Sequence, residues 1–257
     1  MRARQSAWRL CYELLASRVP APDWAFMNYG YAPLEPTPVL QLEVADEPDR
    51  LCIQLYQHVV GAIVLRGTDV LEVGSGRGGG ASYLSRYLRP RSVTGLDFSQ
   101  KAVDLCNRHR KAPGLAFIRG DAQSMPFADS SFDAVVNIES SHCYPSMGEF
   151  LSEVHRVLRR GGSLLFADLR SSDGQDALHE QFEASPLNVE REEDITTNVL
   201  TALRVDNDRK RQLIQDLIPW PFRRPFRAFA GIEGTMNYVG FENGKLRYVT
   251  AHLTKRG

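Results

Sequence analysis

From residue 69 onward, short apolar runs alternate with segments in which apolar residues recur at helical spacing. The apolar runs predict buried β-strands, and they are residues 70–73, 92–96, 115–118, 132–138 and 163–167. The clearest helical pattern lies between Met147 and Leu158, where apolar residues recur every three or four positions. Strands that alternate with helices in this way favour an α/β fold, in which helices cover a parallel sheet on both faces.

The segments that flank this alternating region are less regular. Residues 1–20 predict an amphipathic helix, interpreted as a cap on the main domain, with a helix lying on a membrane surface as the alternative. A further helix is predicted over residues 47–65. We therefore expect a single domain over residues 1–257. Its parts are an N-terminal helical arm (1–66), a central core (67–170), a helical lid (171–234) and C-terminal strands (235–257).

Composition and charge narrow the range of functions. The chain has 31 basic and 31 acidic residues, so it lacks the basic surplus expected of a nucleic-acid-binding protein. No apolar run approaches the roughly 20 residues that cross a bilayer, and the first residues lack the apolar stretch of a secretory signal. None of the four cysteines forms a C-x-x-C pair. Reduced thiols and a cytoplasmic location are therefore expected.

A glycine-rich segment follows the first predicted strand and precedes a predicted helix. Gly74, Gly76 and Gly79 satisfy the G-x-G-x-x-G spacing of nucleotide-binding loops, a signal that is weak by itself. In open parallel sheets, ligands bind beyond the carboxyl ends of the strands. The residues that the later strands deliver to that edge are Asp97 and Phe98, then Asp121 and Ala122, then Asn137 and Glu139, and finally Asp168.

This ordered set resembles the class I S-adenosylmethionine-dependent methyltransferases over about residues 69–170. The whole chain is most similar to a narrower group, the phthiotriol/phenolphthiotriol dimycocerosate-type and related lipid or polyketide O-methyltransferases. The segments that carry this resemblance are residues 28–31 (Asn-Tyr-Gly-Tyr), 71–83, 139–144 (Glu-Ser-Ser-His-Cys-Tyr) and 167–170 (Ala-Asp-Leu-Arg). The resemblance implies a Rossmann-like, doubly wound, mostly parallel seven-stranded sheet.

The resemblance also implies S-adenosyl-L-methionine as cofactor, with S-adenosyl-L-homocysteine as product. Asp97 would accept hydrogen bonds from the ribose hydroxyls, and Asp121 from the adenine amino group. Phe98 and Phe127 would sandwich the adenine ring, with the Ala122 N–H facing it. The remaining expected cofactor-binding residues are Tyr29, Glu72, Gly74, Ser75, Gly76 and Glu139. Tyr29 would offer its aromatic face to the cationic sulfonium, with simple packing of the arm as the alternative.

The expected reaction is in-line methyl transfer to a hydroxyl group of a small molecule. His142 is the candidate general base, and Asp168 would orient it, although Asp168 would also fit a purely structural pair with Arg170. The acceptor is expected to be a lipid, polyketide or other secondary metabolite, and amphiphilic. The alternative reactions are N-, C- or carboxyl methylation. An alternative of a different enzyme class is an NAD(P)-dependent oxidoreductase. No metal site is expected, membrane association is not required, and a homodimer is compatible with the sequence.

Overall fold

The structure, a computed structural model, describes residues 24–256, and seven strands of this part form one sheet. The strands are β1 (Asp69–Val73), β2 (Ser92–Asp97), β3 (Leu115–Arg119), β4 (Phe132–Ile138), β5 (Leu158–Ser171), β6 (Asn188–Asp194) and β7 (Leu246–Thr254). Their order is β3-β2-β1-β4-β5-β7-β6. The first five strands are parallel, whereas β7 runs antiparallel to β5 and β6. The predicted Rossmann-like, mostly parallel seven-stranded sheet is therefore confirmed.

Helices connect the strands. They are α1 (Arg50–Val60), α2 (Gly79–Leu88), α3 (Gln100–His109), α4 (Met147–Val157), α5 (Ser172–Glu183), α6 (Thr196–Val205), α7 (Asn207–Leu217), α8 (Arg223–Phe229) and α9 (Met236–Glu242). Short 3-10 helices lie at Val44–Asp49, Ser141–Cys143 and Trp220–Phe222. Ser99 begins α3 as its N-cap, since its Oγ accepts a hydrogen bond from the Ala102 N–H. Side-chain capping of this kind satisfies one of the N–H groups that a helix start leaves unpaired.

Two hydrophobic clusters cover the two faces of the sheet. Successive strand residues point to opposite faces, so Val70 lies in one cluster and Leu71 in the other. The same alternation separates Val136 from Val135 on the neighbouring strand β4. Because both faces are packed, the central strands read as continuous apolar runs, which is why the sequence revealed them.

The strand order reverses direction between β1 and β4. From β1 the chain proceeds outward through β2 to β3, and then returns to place β4 on the other side of β1. At such a switch point the connections leave in opposite directions and open a crevice at the carboxyl ends of the strands. The glycine loop after β1 and the segment after β4 therefore face each other across this crevice.

Two predictions outside the core are corrected by the structure. The region expected to be a helical lid (171–234) contains strand β6 besides its helices, and the region expected to form C-terminal strands (235–257) contains helix α9 before its strand β7. Strand β6 has the sequence Asn-Val-Glu-Arg-Glu-Glu-Asp, whose charges suit a sheet edge and conceal the alternation on which strand prediction depends. Helix α9 has only seven residues, and its buried aromatic side chains, Tyr238 and Phe241, lie at helical spacing.

Two further sequence predictions concern helices near the start of the chain. The helix expected over 47–65 is shorter, because α1 begins at Arg50 after a 3-10 turn and ends at Val60. The amphipathic helix expected over residues 1–20 lies outside the described residues. Within residues 24–256, none of the helices combines the length and apolar character needed to cross a membrane.

Candidate active site

The loop after β1 requires glycine where the chain passes close to its neighbours. Gly74 has a φ of 78°, and a Cβ at this position would lie 1.9 Å from Ser140 Oγ in the segment after β4. Gly76 also has a positive φ, of 56°. Gly79 lies under the N-terminal arm, where an added Cβ would approach the carbonyl oxygen of Ala25 to 2.5 Å. Only glycine adopts such backbone angles without strain, and its missing side chain permits these close approaches.

Asp97, at the end of β2, ties the glycine loop to the start of α3. Its Oδ2 accepts a hydrogen bond of 2.8 Å from the Gly76 N–H, and its Oδ1 accepts one of 2.9 Å from the Ser99 N–H. The residue is 8% exposed. Asp97 therefore holds the glycine loop and the start of α3 together at the carboxyl edge of the sheet, where ligands of such folds bind.

Three buried polar atoms around the loop after β1 have no hydrogen-bond partner among the described residues. They are Glu72 Oε2, Ser75 Oγ and Asn137 Oδ1. Asn137 is fully buried and uses its amide nitrogen to bond the Val73 carbonyl and the Tyr144 hydroxyl, so its oxygen remains for another donor. Unsatisfied buried groups are rare and require an explanation. A bound ligand with an ammonium or hydroxyl donor would satisfy them.

Glu72 lies beneath the glycine loop and is almost fully buried. Its Oε1 accepts a hydrogen bond of 2.5 Å from the Tyr56 hydroxyl, and the Ala81 N–H at the start of α2 also bonds the carboxyl group. Burial raises the pKa of Glu72 to about 8, because these two hydrogen bonds only partly offset the loss of solvation. Glu72 therefore links α1 to the first turn of α2 and supports the loop from below.

The outer part of the crevice carries the residues expected to contact adenine. Phe98 is 47% exposed, with the Arg119 guanidinium 5.9 Å from its ring centre. Asp121 is exposed, and its Oδ1 accepts from the Gln123 N–H. Phe127 instead packs edge-on against Phe132 at 4.9 Å, in contact with the hydrophobic core. Ala122 also packs on that core. Phe98 thus offers more open ring surface than Phe127.

His142 and Asp168 are brought together as the sequence predicted. His142 Nδ1 lies 2.7 Å from Asp168 Oδ1, and the His142 N–H donates to Oδ2 at 2.8 Å. The neighbouring strands β4 and β5 create this contact, because one leads into the 3-10 turn of His142 and the other carries Asp168. The Asp168 side chain is fully buried, whereas that of His142 is 37% exposed. The imidazole is therefore fixed through Nδ1, while more than a third of the side chain stays accessible.

Asp168 also pairs with Arg170, so both of its expected partners are present. Arg170 NH1 lies 3.0 Å from Asp168 Oδ2, and the Ser141 hydroxyl donates to the same oxygen at 2.6 Å. Burial opposes ionisation of Asp168, but the charges of His142 and Arg170 outweigh it and hold its pKa well below the usual range. Burial likewise lowers the pKa of His142, and the Asp168 charge and hydrogen bond more than reverse this, leaving that pKa well above its usual value.

Glu139 anchors the N-terminal arm over the crevice. Its φ is 48°, an unusual value for a residue other than glycine, and its Oε1 accepts from the Tyr29 N–H at 2.6 Å and the Tyr248 hydroxyl at 2.8 Å. Burial raises the pKa of Glu139 to about 7, against the effect of these hydrogen bonds. Strain at a functional site persists only where the surroundings enforce it. Here the hydrogen bonds from the N-terminal arm and from β7 hold Glu139 in this conformation.

Tyr29 takes a different orientation from the one expected. Its ring packs edge-on against Phe241 at 5.6 Å, and its hydroxyl accepts from the Asn237 side chain at 2.8 Å. The ring therefore contacts α9, and it is the backbone N–H of Tyr29 that reaches the edge of the crevice. Packing of the arm, the alternative considered from the sequence, describes this residue better than a cation–π role.

Comparisons with known proteins identify the family of this chain. The model of a methyltransferase domain family matches residues 71–166. The chain is 41% identical to the phthiotriol/phenolphthiotriol dimycocerosates methyltransferase of Mycobacterium leprae, over 94% of this chain and 89% of that protein. It is 38% identical to the fatty-acid O-methyltransferase of Mycolicibacterium smegmatis, over 85% and 80% of the two chains. The chain belongs to the class I S-adenosylmethionine-dependent methyltransferases. Its cofactor is S-adenosyl-L-methionine.

Solved structures show the same fold at low sequence identity. The [4+2]-cyclase SpnF superposes with a TM-score of 0.71 at 20% identity. The match covers 96% of this chain and 94% of the cyclase. Geranyl diphosphate C-methyltransferase from Streptomyces coelicolor, crystallised with S-adenosyl-L-homocysteine, has a TM-score of 0.62 at 16% identity, with coverages of 91% and 92%. One of these neighbours is named as a cyclase, so the fold does not determine the reaction of this methyltransferase.

The residues of this methyltransferase fit its cofactor. The glycine loop leaves room for a close ligand, the Asp97 carboxylate lies where it would accept from the ribose hydroxyls, and unsatisfied polar atoms flank the loop. Sequence reasoning missed Tyr56 and Tyr248 as partners of the two buried glutamates. Residues 245–254 alternate between polar and apolar positions like a strand, so Tyr248 could be placed in a strand from the sequence. Its hydrogen bond to Glu139 could not. From the sequence, Asn137 was considered only as a residue at a strand end. That it is a polar residue inside the apolar run of this strand was the stronger indication of a functional role.

Proposed function

We propose that this methyltransferase transfers the methyl group of its cofactor to a hydroxyl oxygen of an amphiphilic small molecule, with His142 as general base. The observation that carries the proposal is the 2.7 Å contact between His142 Nδ1 and the fully buried Asp168, which leaves the other side of the imidazole accessible. When bound, the cofactor supplies an electrophilic methyl group, which leaves sulfur for the acceptor oxygen and yields S-adenosyl-L-homocysteine.

The tautomer of His142 follows from its contact with Asp168. A carboxylate only accepts hydrogen bonds, so Nδ1 carries the proton in the neutral imidazole and Nε2 has the lone pair. Asp168 raises the pKa of His142 against the effect of burial, so this neutral form is populated as pH rises through that pKa, and methyl transfer should accelerate over the same range. Nε2 would take the acceptor's hydroxyl proton as the new carbon–oxygen bond forms. The imidazolium so produced would be stabilised by the Asp168 carboxylate, in the way that an aspartate supports histidine in hydrolases. General-base assistance of this kind contributes about 10²- to 10⁴-fold in rate.

Asp97, Asp121 and Phe98 would bind the adenosyl part of the cofactor, and Gly74–Gly76 with Ser75 and Glu72 would shape the pocket for its amino-acid part. Glu139 would act on the cofactor's side of the crevice by holding the arm in place. The hydrogen bond of the Gly76 N–H to Asp97 and the unsatisfied Ser75 Oγ support this arrangement. The hydroxyl acceptor is supported by the name of the Mycobacterium leprae relative, a phthiotriol/phenolphthiotriol dimycocerosates methyltransferase, whereas the fatty-acid O-methyltransferase supports an oxygen acceptor in general.

The test uses radiolabelled cofactor with two acceptors, a phthiotriol-type lipid that has a free hydroxyl and a long-chain fatty acid. The proposal predicts that the lipid is labelled as a methyl ether, identified by mass spectrometry, and that His142→Gln lowers its kcat by at least 100-fold. His109→Gln, which changes an exposed histidine in α3, is the matched control and should leave kcat unchanged. A His142→Gln variant with more than one tenth of the wild-type kcat would exclude His142 as the base.

The relationship to a fatty-acid O-methyltransferase favours carboxyl methylation as a second candidate. A carboxylate is already ionised at neutral pH, so its methylation requires no base. In that case the fatty acid would be labelled as a methyl ester, the hydroxyl lipid would not be labelled, and His142→Gln would retain most of the activity.

A further inference from the structure

The segment of residues 220–229 packs one of its faces against the rest of the protein. The 3-10 turn Trp220–Phe222 runs directly into α8, so the two form one continuous stretch of helical backbone. Phe226 is buried, and its ring contacts that of Trp24 in the N-terminal arm edge-on, with 6.4 Å between the ring centres. Phe226 also belongs to a small hydrophobic cluster with Ile214 of α7. The inner face therefore fixes α8 on α7 and on the arm.

The opposite face of this segment carries Trp220, Arg224 and Arg227, which we call the Trp220 stripe. The three residues are spaced i, i+4 and i+7, and this spacing places side chains on one face of a helix. All three are exposed, and Trp220 is 80% exposed. Tryptophan is highly buried on average in folded proteins. A tryptophan this accessible, with two arginines beside it, therefore points to a surface that a binding partner covers.

Neighbouring side chains do not neutralise the charge of the stripe. The guanidinium groups of Arg224 and Arg227 form no ion pair or hydrogen bond with any residue in the described range. Arg223 donates to two backbone carbonyl oxygens, at 2.7 and 2.9 Å, so its charge is not paired with a carboxylate in these contacts. Residues 217–232 contain three arginines and no acidic residue, although the whole chain has equal numbers of basic and acidic residues. Positive charge is thus concentrated in this segment.

The sign of this charge distinguishes between possible partners. In a symmetric dimer, a second copy would present the same positive stripe, and the like charges would repel each other. The residues that precede Trp24 in the chain, 1–23, include four arginines and two acidic residues, so this segment is also positive. A lipid surface with anionic headgroups has the opposite charge and attracts arginine side chains. Tryptophan is enriched where lipid meets water, because its ring is apolar and its N–H is polar.

The N-terminal arm connects α8 to the cofactor crevice. The ring of Trp24 packs on Phe226, and the carbonyl oxygen of Trp24 accepts a hydrogen bond from Arg77 Nε in the glycine loop. The next arm residue, Ala25, lies against Gly79 at the start of α2. The segment that carries the stripe is therefore packed on the same arm residues that cover the glycine loop.

We propose that the Trp220 stripe docks the protein on an anionic lipid surface. Trp220 enters the headgroup region, and the guanidinium groups of Arg224 and Arg227 bind the lipid phosphates. This interaction goes beyond the methyl transfer proposed above, and it is independent of which acceptor atom is methylated.

The test is co-sedimentation of the full chain with two kinds of vesicle, one of phosphatidylcholine alone and one of equal parts phosphatidylcholine and phosphatidylglycerol. Wild type should bind the anionic vesicles at least tenfold more tightly, and high salt should weaken this binding by screening the charges. Arg224→Gln/Arg227→Gln should lose the preference. Lys101→Gln/Arg108→Gln, which removes two exposed charges from α3, is the matched control and should behave like wild type. Equal binding of wild type to both vesicles, or a preference retained by Arg224→Gln/Arg227→Gln, would overturn the proposal.

A second measurement tests the position of Trp220 itself. Brominated phosphatidylcholine in the anionic vesicles should quench tryptophan fluorescence of the bound wild type. Trp220→Phe should keep most of the binding and lose most of this quenching. Trp220→Ser should weaken binding, whereas Val64→Ser, a change at another apolar residue that is 82% exposed, should not. Undiminished quenching in Trp220→Phe would mean that a different tryptophan enters the lipid, which contradicts the proposal.

The remaining outcomes are also decisive. A wild-type dimer in sedimentation velocity that Trp220→Ser dissociates would assign the stripe to a second copy of the chain and overturn the proposal. If Trp220→Ser does not fold, by its thermal transition, Trp220→Gln replaces it in the same comparison. Because no turnover is measured, failure of hydroxyl methylation leaves the vesicle result unaffected, and absent vesicle binding leaves the His142 hypothesis standing.

Discussion

Replacing Asp168 with asparagine tests the imidazole–carboxylate pair more directly than any change to His142 itself. The substitution preserves shape and removes one charge from a fully buried position. It affects hydrogen bonds from His142 Nδ1 and N–H, from the Ser141 hydroxyl and from the Leu169 N–H, as well as the contact with Arg170 at 3.0 Å. Removing one partner of a buried ion pair costs about 3–5 kcal/mol. Since the His142 side chain is 37% exposed and partly screened by solvent, we expect the lower end of that range.

The pH dependence of this loss has a defined sign. Asp168 has a lowered pKa in the folded protein, so its contribution is present above the unfolded value of about 3.9 and is lost as pH falls through the folded pKa. His142 has a raised pKa, so its contribution is complete below about 6.5 and is lost as pH rises through the folded pKa. The stability difference between wild type and Asp168→Asn should therefore be largest near pH 5–6, in the interval between about 3.9 and 6.5 where both contributions are complete.

Three measurements follow on this variant. Urea unfolding at several pH values gives the stability difference, NMR titration of the His142 ring gives its pKa, and methyl transfer gives kcat. We expect the pKa of His142 to fall toward about 6.5 and kcat to fall by about 10²- to 10⁴-fold. Asp173→Asn, an exposed change at the start of α5, is the control and should alter none of these quantities. An unchanged pKa of His142 in Asp168→Asn would refute the reasoning.

Three other predictions concern the cofactor side of the crevice. Gly74→Ala should abolish binding of S-adenosyl-L-homocysteine in calorimetry, because φ is 78° and the added Cβ would overlap Ser140 Oγ. In the control variant Gly148→Ala the added Cβ meets no atom within 4 Å, so this variant should bind the ligand normally. Asp97→Asn should weaken that ligand at least tenfold, whereas Asp104→Asn on the exposed side of α3 should not, and equal affinities would remove Asp97 from the site. Glu72 has a folded pKa of about 8 against 4.5 for the free group, so its contribution to stability falls as pH rises between these values. Glu72→Gln should flatten that part of the unfolding profile, and an unchanged slope would contradict the raised pKa.

The central sheet and the pairing of His142 with Asp168 were accessible from sequence for one reason. Strands buried on both faces are continuous apolar runs, and the residues that follow them must meet at the same edge. Because His142 follows one strand and Asp168 ends the neighbouring one, their contact could be predicted. Arg170 was the alternative partner of Asp168, and the structure shows that both pairings form together.

The parts that sequence reasoning missed depend on long-range packing. Strand β6 is held by backbone pairing to β7, and its charged side chains carry no strand signal. The orientation of Tyr29 depends on Phe241 and Asn237, more than 200 residues away in the chain.

The most direct test of the account is a crystal structure of the protein with S-adenosyl-L-homocysteine. The ligand should lie across the carboxyl ends of β1 and β4, with its ribose at Asp97 and its sulfur within about 7 Å of His142 Nε2, the span of one methyl group and one hydroxyl between them. A ligand bound elsewhere, or a sulfur turned away from His142, would contradict it.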